Sequence, residues 1–178
     1  MGLPLASVRI TLPSKMTYQP SATSPAAAGI GQFAAVRSIA QTLGIELTPS
    51  NVRGANEIGR NVAAFARSGN GGVIVTSAGT AVNRKLIISL VARYKLPAVY
   101  PYRFYAVDGD LISYGPDTSE PVKRAAEYVD RILKGERPLE MPVQAPNKYQ
   151  LVLNLRTAKA LDLTIPQTLL ATADEVIE

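Results

Sequence analysis

GVIVTSAGTAVNRKLIISLVARYKLPAVYPYRFYAVDGDLISYG, residues 72–115, sets three short apolar runs around one amphipathic segment and one turn. Val73-Ile74-Val75 is β-branched throughout with no polar alternation. Such a run is the pattern of a strand covered on both faces in the middle of a parallel sheet. From about Thr80 to Lys95, Val82, Leu86, Leu90 and Tyr94 recur four apart, which predicts a helix with those residues inward. A strand at Ala98-Val99-Tyr100 follows, and the Asp108-Gly109 turn leads to another at Leu111 to Tyr114. Strand, helix and strand in alternation predict an α/β fold: a doubly wound parallel sheet with right-handed connections, in three αβα layers.

Upstream, Ile30, Phe33, Val36, Ala40 and Leu43 give an amphipathic helix that stops at Gly44. A short strand at Ile45 to Thr48, a turn through Pro49 to Gly54 and a second helix with Ile58, Val62, Phe65 and Ala66 on one face come next. Further back, Val8 to Leu12 alternates like a half-buried strand, but Pro13 to Ala28 has no period and reads as a loop or lead. Downstream, a long helix runs from about Ser119 to Lys134 and stops at Gly135. Pro138, Pro142 and Pro146 then mark an extended crossing, followed by a strand at Gln150 to Asn154 and two short helical pieces. The expected organisation is an irregular lead over 1–28, an α/β lobe over 29–115 and a C-terminal crossover over 116–178 that completes the lobe.

The missing residue types exclude much chemistry. The 178 residues contain no Cys and no His, which removes thiol nucleophiles, disulfides, Cys/His zinc sites and His-based acid–base catalysis. Fourteen carboxylates, scattered along helices, form no convincing catalytic pair, so the expectation is a protein that is not an enzyme and needs no cofactor or metal. The net charge of +5 gathers into nothing longer than the pairs Arg84-Lys85 and Lys123-Arg124, without the stripe that nucleic-acid binding calls for. No apolar run approaches the ~20 residues of a membrane span, and the first 28 residues have no basic start, apolar region or cleavage site of an export signal. Read as complete, the chain would be cytoplasmic.

Two short motifs compete for attention. Gly29-Ile30-Gly31 with Ala34, and Glu46 beyond, has the spacing of a dinucleotide fingerprint. That fingerprint requires a strand running straight into the glycine turn, and a proline-rich stretch precedes it here. Asp108-Gly109-Asp110 lacks the downstream oxygen ligands of a calcium loop and reads as a turn.

Location is more informative. Open α/β sheets bind ligands outside the carboxyl ends of their strands. Those ends carry Thr76-Ser77-Ala78-Gly79-Thr80 and Tyr100-Pro101-Tyr102-Arg103-Phe104-Tyr105. Hydroxyls in the first segment suit an anion, while the aromatics and Arg103 in the second suit a planar acidic solute. Helix capping and core packing explain the same residues equally well.

The stretch 72–115 resembles the ABC-transporter substrate-binding protein family, periplasmic-binding-protein-like solute receptors of the tryptophan and tyrosine type. The similarity continues through RAAEYVDRILKGERPLEMPVQAPNKYQLVLNLRTAKALDL and the terminal LLATADEVIE. It implies one lobe, plus C-terminal segment, of a two-lobe receptor that clamps a small organic solute, such as an aromatic amino acid or related carboxylate, and delivers it to an ABC permease. It also implies a periplasmic location. Carried over to the second-lobe face, the ligand-binding residues are Thr76, Ser77, Thr80, Tyr102, Arg103 and Tyr114. The family has a complete first lobe before the matched region, and Met1 to Ser24 does not follow its usual entry into the second. With that lobe absent from the sequence, the apolar stripe Val122, Ala125, Ala126, Val129, Ile132 and Leu133 lacks its cover, so a homodimer through the 119–134 helix is expected. Two other readings remain: a Rossmann-like nucleotide-dependent enzyme and an interaction module that binds no solute.

Overall fold

The computed structural model describes residues 9–15, 25–51, 55–67, 69, 71–75 and 83–178. Their strands form one seven-stranded sheet in the order β2-β1-β3-β4-β5-β6-β7: β1 (Arg9–Lys15), β2 (Glu46–Asn51), β3 (Gly71–Ile74), β4 (Ala98–Tyr100), β5 (Ile112–Pro116), β6 (Tyr149–Asn154) and β7 (Glu175–Ile177). The first five are mutually parallel, β6 runs antiparallel to β5, and β7 is parallel to β6. The α/β reading therefore holds, with a mixed rather than wholly parallel sheet.

Helices α1 (Pro25–Thr42), α2 (Ala55–Ala66), α3 (Arg84–Arg93) and α4 (Arg103–Val107) alternate with the parallel strands. Register fixes which residues share a face. Val73 pairs with Ala98 and Tyr100 with Ser113, so Val73, Val75, Ala98, Tyr100 and Ser113 point to one side. There Ile58 of α2, Ile87 and Val91 of α3 and Tyr105 of α4 join them in the buried core. On the other side Ile74, Val99 and Ile112 are only half-buried.

Three differences from the sequence reading have local causes. The strand read at 8–12 runs on through Pro13 to Lys15 and lies inside the sheet between β2 and β3. A proline is tolerated there because, among the described residues, β3 pairs only with Arg9, Ile10 and Thr11, leaving Pro13 a described neighbour on one side alone. α1 begins at Pro25, so Gly29 and Gly31 lie within a helix and not in a turn at its start. The dinucleotide fingerprint thus lacks the glycine turn it depends on. Finally, α4 and β7 were not foreseen: the aromatic string after Tyr100 coils into a short helix, and the chain ends in a strand.

After β5 the chain leaves the sheet as α5 (Ser119–Leu133), passes a 3-10 turn at Pro138–Glu140 and returns along an extended arm to β6. No residue of α5 is buried. The arm lies along one polar side of α5: Arg124 donates to Glu120 Oε1, Gln144 Oε1 and Asn147 Oδ1, and the Tyr128 hydroxyl donates to the Pro142 carbonyl at 2.6 Å. Between helix and arm runs a groove of about 190 Å³. The apolar stripe stays open, with Val122, Val129, Ile132 and Leu133 all exposed. Leaving and returning strands meet where Asp117 N–H donates to the Lys148 carbonyl at 3.0 Å and Lys148 Nζ lies 3.2 Å from Asp117 Oδ2. Helices α6 (Leu155–Ala160) and α7 (Gln167–Thr172) lead to β7. Among the described residues, no helix is long and apolar enough to cross a membrane.

Candidate functional site at the carboxyl edge of the sheet

Strands β3, β4 and β5 end on one edge, and the residues that follow them are the candidate site. Thr76, Ser77 and Thr80, expected there after β3, lie outside the described residues. After β4 the backbone turns tightly: the Pro101 carbonyl rests against Gly115, where a Cβ would come within 1.8 Å of its oxygen. Only glycine allows that approach. Tyr102 follows in extended conformation and α4 starts at Arg103.

Four rings make a continuous stack from the core outward. Tyr100 lies on Tyr105 (centroids 4.5 Å apart), Tyr105 on Phe104 (4.8 Å) and Phe104 on Tyr102 (5.4 Å). Offset ring pairs at these separations stabilise beyond their buried area. Arg84 of α3 sits over the Phe104 ring, its Nε 2.8 Å from Asp108 Oδ2. Tyr102, half-buried at the outer end, therefore packs against the fold and also borders the edge.

Arg103 is half exposed and paired. Its Nε donates to Glu175 Oε2 at 2.6 Å and its Nη2 to Glu175 Oε1 at 2.7 Å, a two-pronged bond from α4 to the first residue of β7. Register explains the reach: Glu175 pairs with Val152 and Val152 with Ser113, so all three share the face on which α4 lies. Asn154 on the same face donates to the Ala106 carbonyl and ties α4 down. The neighbouring Asp174 is engaged with the backbone, accepting from Leu151 N–H at 2.8 Å.

Tyr114 belongs to the other face. It pairs with Leu151 rather than Val152, is 59% exposed and stacks on Tyr149 at 5.9 Å. The structure thus brings Tyr102 and Arg103 together and sets Tyr114 on the opposite side of the sheet. Glu175 and Tyr149 were missed by sequence reasoning. Neither carries a local signal, because each meets its partner only through strand pairing far along the chain.

Beneath the aromatic stack lies a polar cluster. The Tyr100 hydroxyl, Asp110 Oδ2 and Ser113 Oγ are enclosed, and no aligned hydrogen bond to a described residue reaches any of them. Burial pushes the Asp110 carboxyl up to about 7; the Tyr100 hydroxyl partly opposes this and the Asp108 carboxylate adds to it. The same enclosure and the Asp110 charge raise the Tyr100 phenol further. No cluster of acidic side chains among the described residues is arranged to hold a metal ion.

Sheet order and flanking helices define a periplasmic-binding-protein-like α/β lobe, and the comparisons agree. The chain matches the model of the family described as ABC transporter substrate binding protein over residues 16–177. It belongs to that family. A comparison with curated proteins finds no significant match in sequence. Among solved structures, the fold is similar to a conserved domain protein from Vibrio cholerae (21% identity, TM-score 0.75, 96% of this chain and 54% of that one). It is also similar to an ABC domain in complex with L-Trp from Streptococcus pneumonia (22% identity, TM-score 0.78, 96% and 56%). A third is a ligand-free, open substrate-binding protein with adhesive properties from Clostridium difficile (18% identity, TM-score 0.62, 98% and 55%). The chain spans little more than half the length of these structures.

Proposed function

We propose that the protein is a solute-binding component of an ABC transporter, non-catalytic, that receives a small organic solute carrying a carboxylate and hands it to a membrane permease. The family match over residues 16–177 carries this reading. The site supports it: Arg103 is half exposed at the carboxyl edge, bordered by Tyr102, and the Streptococcus pneumonia relative holds L-Trp. An aromatic amino acid or related acid is the proposed solute, with Thr76, Ser77, Thr80, Tyr102 and Arg103 as the proposed contacts and a periplasmic or extracellular location; Tyr114, on the opposite face of the sheet, stands apart from this set. A second copy of the chain is the proposed cover for the open stripe of α5, forming a homodimer.

A thermal-shift panel of amino acids, aromatic acids, sugars and dinucleotides tests the reading. Stabilisation should grow as RT ln(1 + [L]/Kd) with a carboxylate-bearing solute and be absent with NAD or ATP. For the solute so found, Arg103→Ala should weaken binding in calorimetry by roughly tenfold or more, the loss of a charge-assisted bond of ~1.5–3 kcal/mol. Stabilisation by dinucleotides alone would replace the receptor by a nucleotide-binding enzyme.

A further inference from the structure

We propose that the outward side of α2 and α3 is an electrostatic docking face for an anionic lipid surface. The proposal goes beyond solute binding, since it concerns the outer side of two helices and not the carboxyl edge of the sheet.

The fold gathers the protein's excess charge here. Residues 55–95, the unit α2-β3-α3, hold six of the nineteen basic side chains and one of the fourteen acidic ones, which accounts for the whole net charge of +5. Outside this unit, thirteen Lys and Arg balance thirteen Asp and Glu. Ile58 of α2 and Ile87 and Val91 of α3 enter the same core, so the opposite sides of both helices look outward together. Arg60 and Arg67 lie seven apart along α2 and its end, on one side of the helix. They are exposed, as are Lys85, Arg93 and Lys95 along and just beyond α3.

These five cations are not neutralised by their neighbours. None forms an ion pair with a described residue, and Arg93 lies over the Tyr94 ring instead. The sixth, Arg84, is paired with Asp108. Helix α5 behaves differently: Arg124, Arg131 and Lys134 each meet a carboxylate, so its charges cancel locally. Helix stability explains only part of the arrangement. A helix dipole favours cations at the C-terminal ends, where Arg67 and Arg93 stand, but it opposes Lys85 in the first turn of α3.

The face carries charge without an apolar anchor. Protein interfaces centre on buried aromatic and apolar groups and are depleted in Lys, whereas no large hydrophobic side chain among the described residues of 55–95 is exposed. Both helices are laid against the sheet, so neither projects as a groove-reading element would. Anionic head groups spread over a plane need only diffuse positive charge, and each Lys or Arg close to them adds roughly fivefold in affinity.

Cosedimentation with two vesicle preparations tests this: phosphatidylcholine alone, and an equal mixture of phosphatidylcholine and phosphatidylglycerol. Binding should occur with the mixture only, and should vanish between about 0.01 M and 1 M salt as the screening length falls from about 30 Å to about 3 Å. Lys85→Glu with Arg93→Glu, and separately Arg60→Glu with Arg67→Glu, should each weaken it at least ~20-fold, two cations at roughly fivefold each. Arg37→Glu with Arg156→Glu makes the same change of net charge at exposed cations of α1 and α6, and should stay within threefold of wild type. Equal sedimentation with both vesicles, or an equal loss in the Arg37 and Arg156 variant, overturns the docking face. A short DNA duplex held as tightly as the mixed vesicles at the same salt replaces the lipid surface by a nucleic acid. The solute panel is read separately and decides the receptor reading whichever way the vesicles fall.

Discussion

The Asp110 carboxyl, enclosed beside the Tyr100 ring with its backbone N–H on the Tyr105 carbonyl, titrates near 7 in the folded protein against an ordinary 3.8. Below about pH 4 both folded and unfolded chains hold the proton. Between about 4 and 7 the unfolded chain releases it and the folded one does not, so stability falls as pH rises through that window and levels off above it. At ~1.4 kcal/mol for each tenfold change, the full effect is on the order of 4 kcal/mol. Asp110→Asn should flatten this slope and raise the urea midpoint at pH 8; an unchanged pH profile of urea melts would show that the carboxyl is hydrated. Asp117 works in the opposite sense. The Ser119 hydroxyl and backbone N–H, with Lys148, hold it down at about 2, so its stabilisation is present above its ordinary range and lost as pH falls from about 4 to 2. Of the site residues, Arg103 was legible because a lone cation in an aromatic string after a strand stands out. Its partner was not, since Glu175 arrives from 72 positions away.

Elements differ in how far their sequences announce them. The unit β3-α3-β4-β5 was readable because β-branched runs and a four-residue apolar period need no distant partner to be recognised. β7 has three residues and exists only by pairing with β6, and α4 hides in a string whose aromatics favour strands. At Pro13 the usual strand-breaking rule misled, because a proline is acceptable where only one neighbour pairs. The junction of β4 and β5 supplies a sharper test. With the Pro101 oxygen 1.8 Å from the position of a Cβ, Gly115→Ala must push two strands apart. Overpacked sites cost ~1–3 kcal/mol, and contact with rigid backbone belongs at or above the top of that range. The expected outcome is a lowered urea midpoint and reduced soluble yield; a stability equal to wild type would mean the Pro101 turn shifts freely.

For the whole molecule, the open stripe of α5 is the feature that a single copy leaves unsatisfied. Monomers rarely expose large contiguous apolar patches; along α5 Val122, Val129, Ile132 and Leu133 are exposed, and Leu139 and Val143 of the arm are exposed as well. Light scattering at micromolar concentration should give a dimer that Val129→Glu converts to monomer. A wild-type species of one chain mass, 19.0 kDa, would exclude the homodimer. The junction at Asp117 and Lys148 has a different consequence. Both ends of the α5 excursion meet there, on strands already paired antiparallel from Ile112↔Leu153 to Pro116↔Tyr149. The excursion is therefore a closed handle on a hidden β-hairpin. An Asn-Gly turn could join Asp117 to Lys148 directly, since that dipeptide links antiparallel strands with the right twist. The sheet would keep its register, and α5 with its arm becomes a module that can be excised or transplanted.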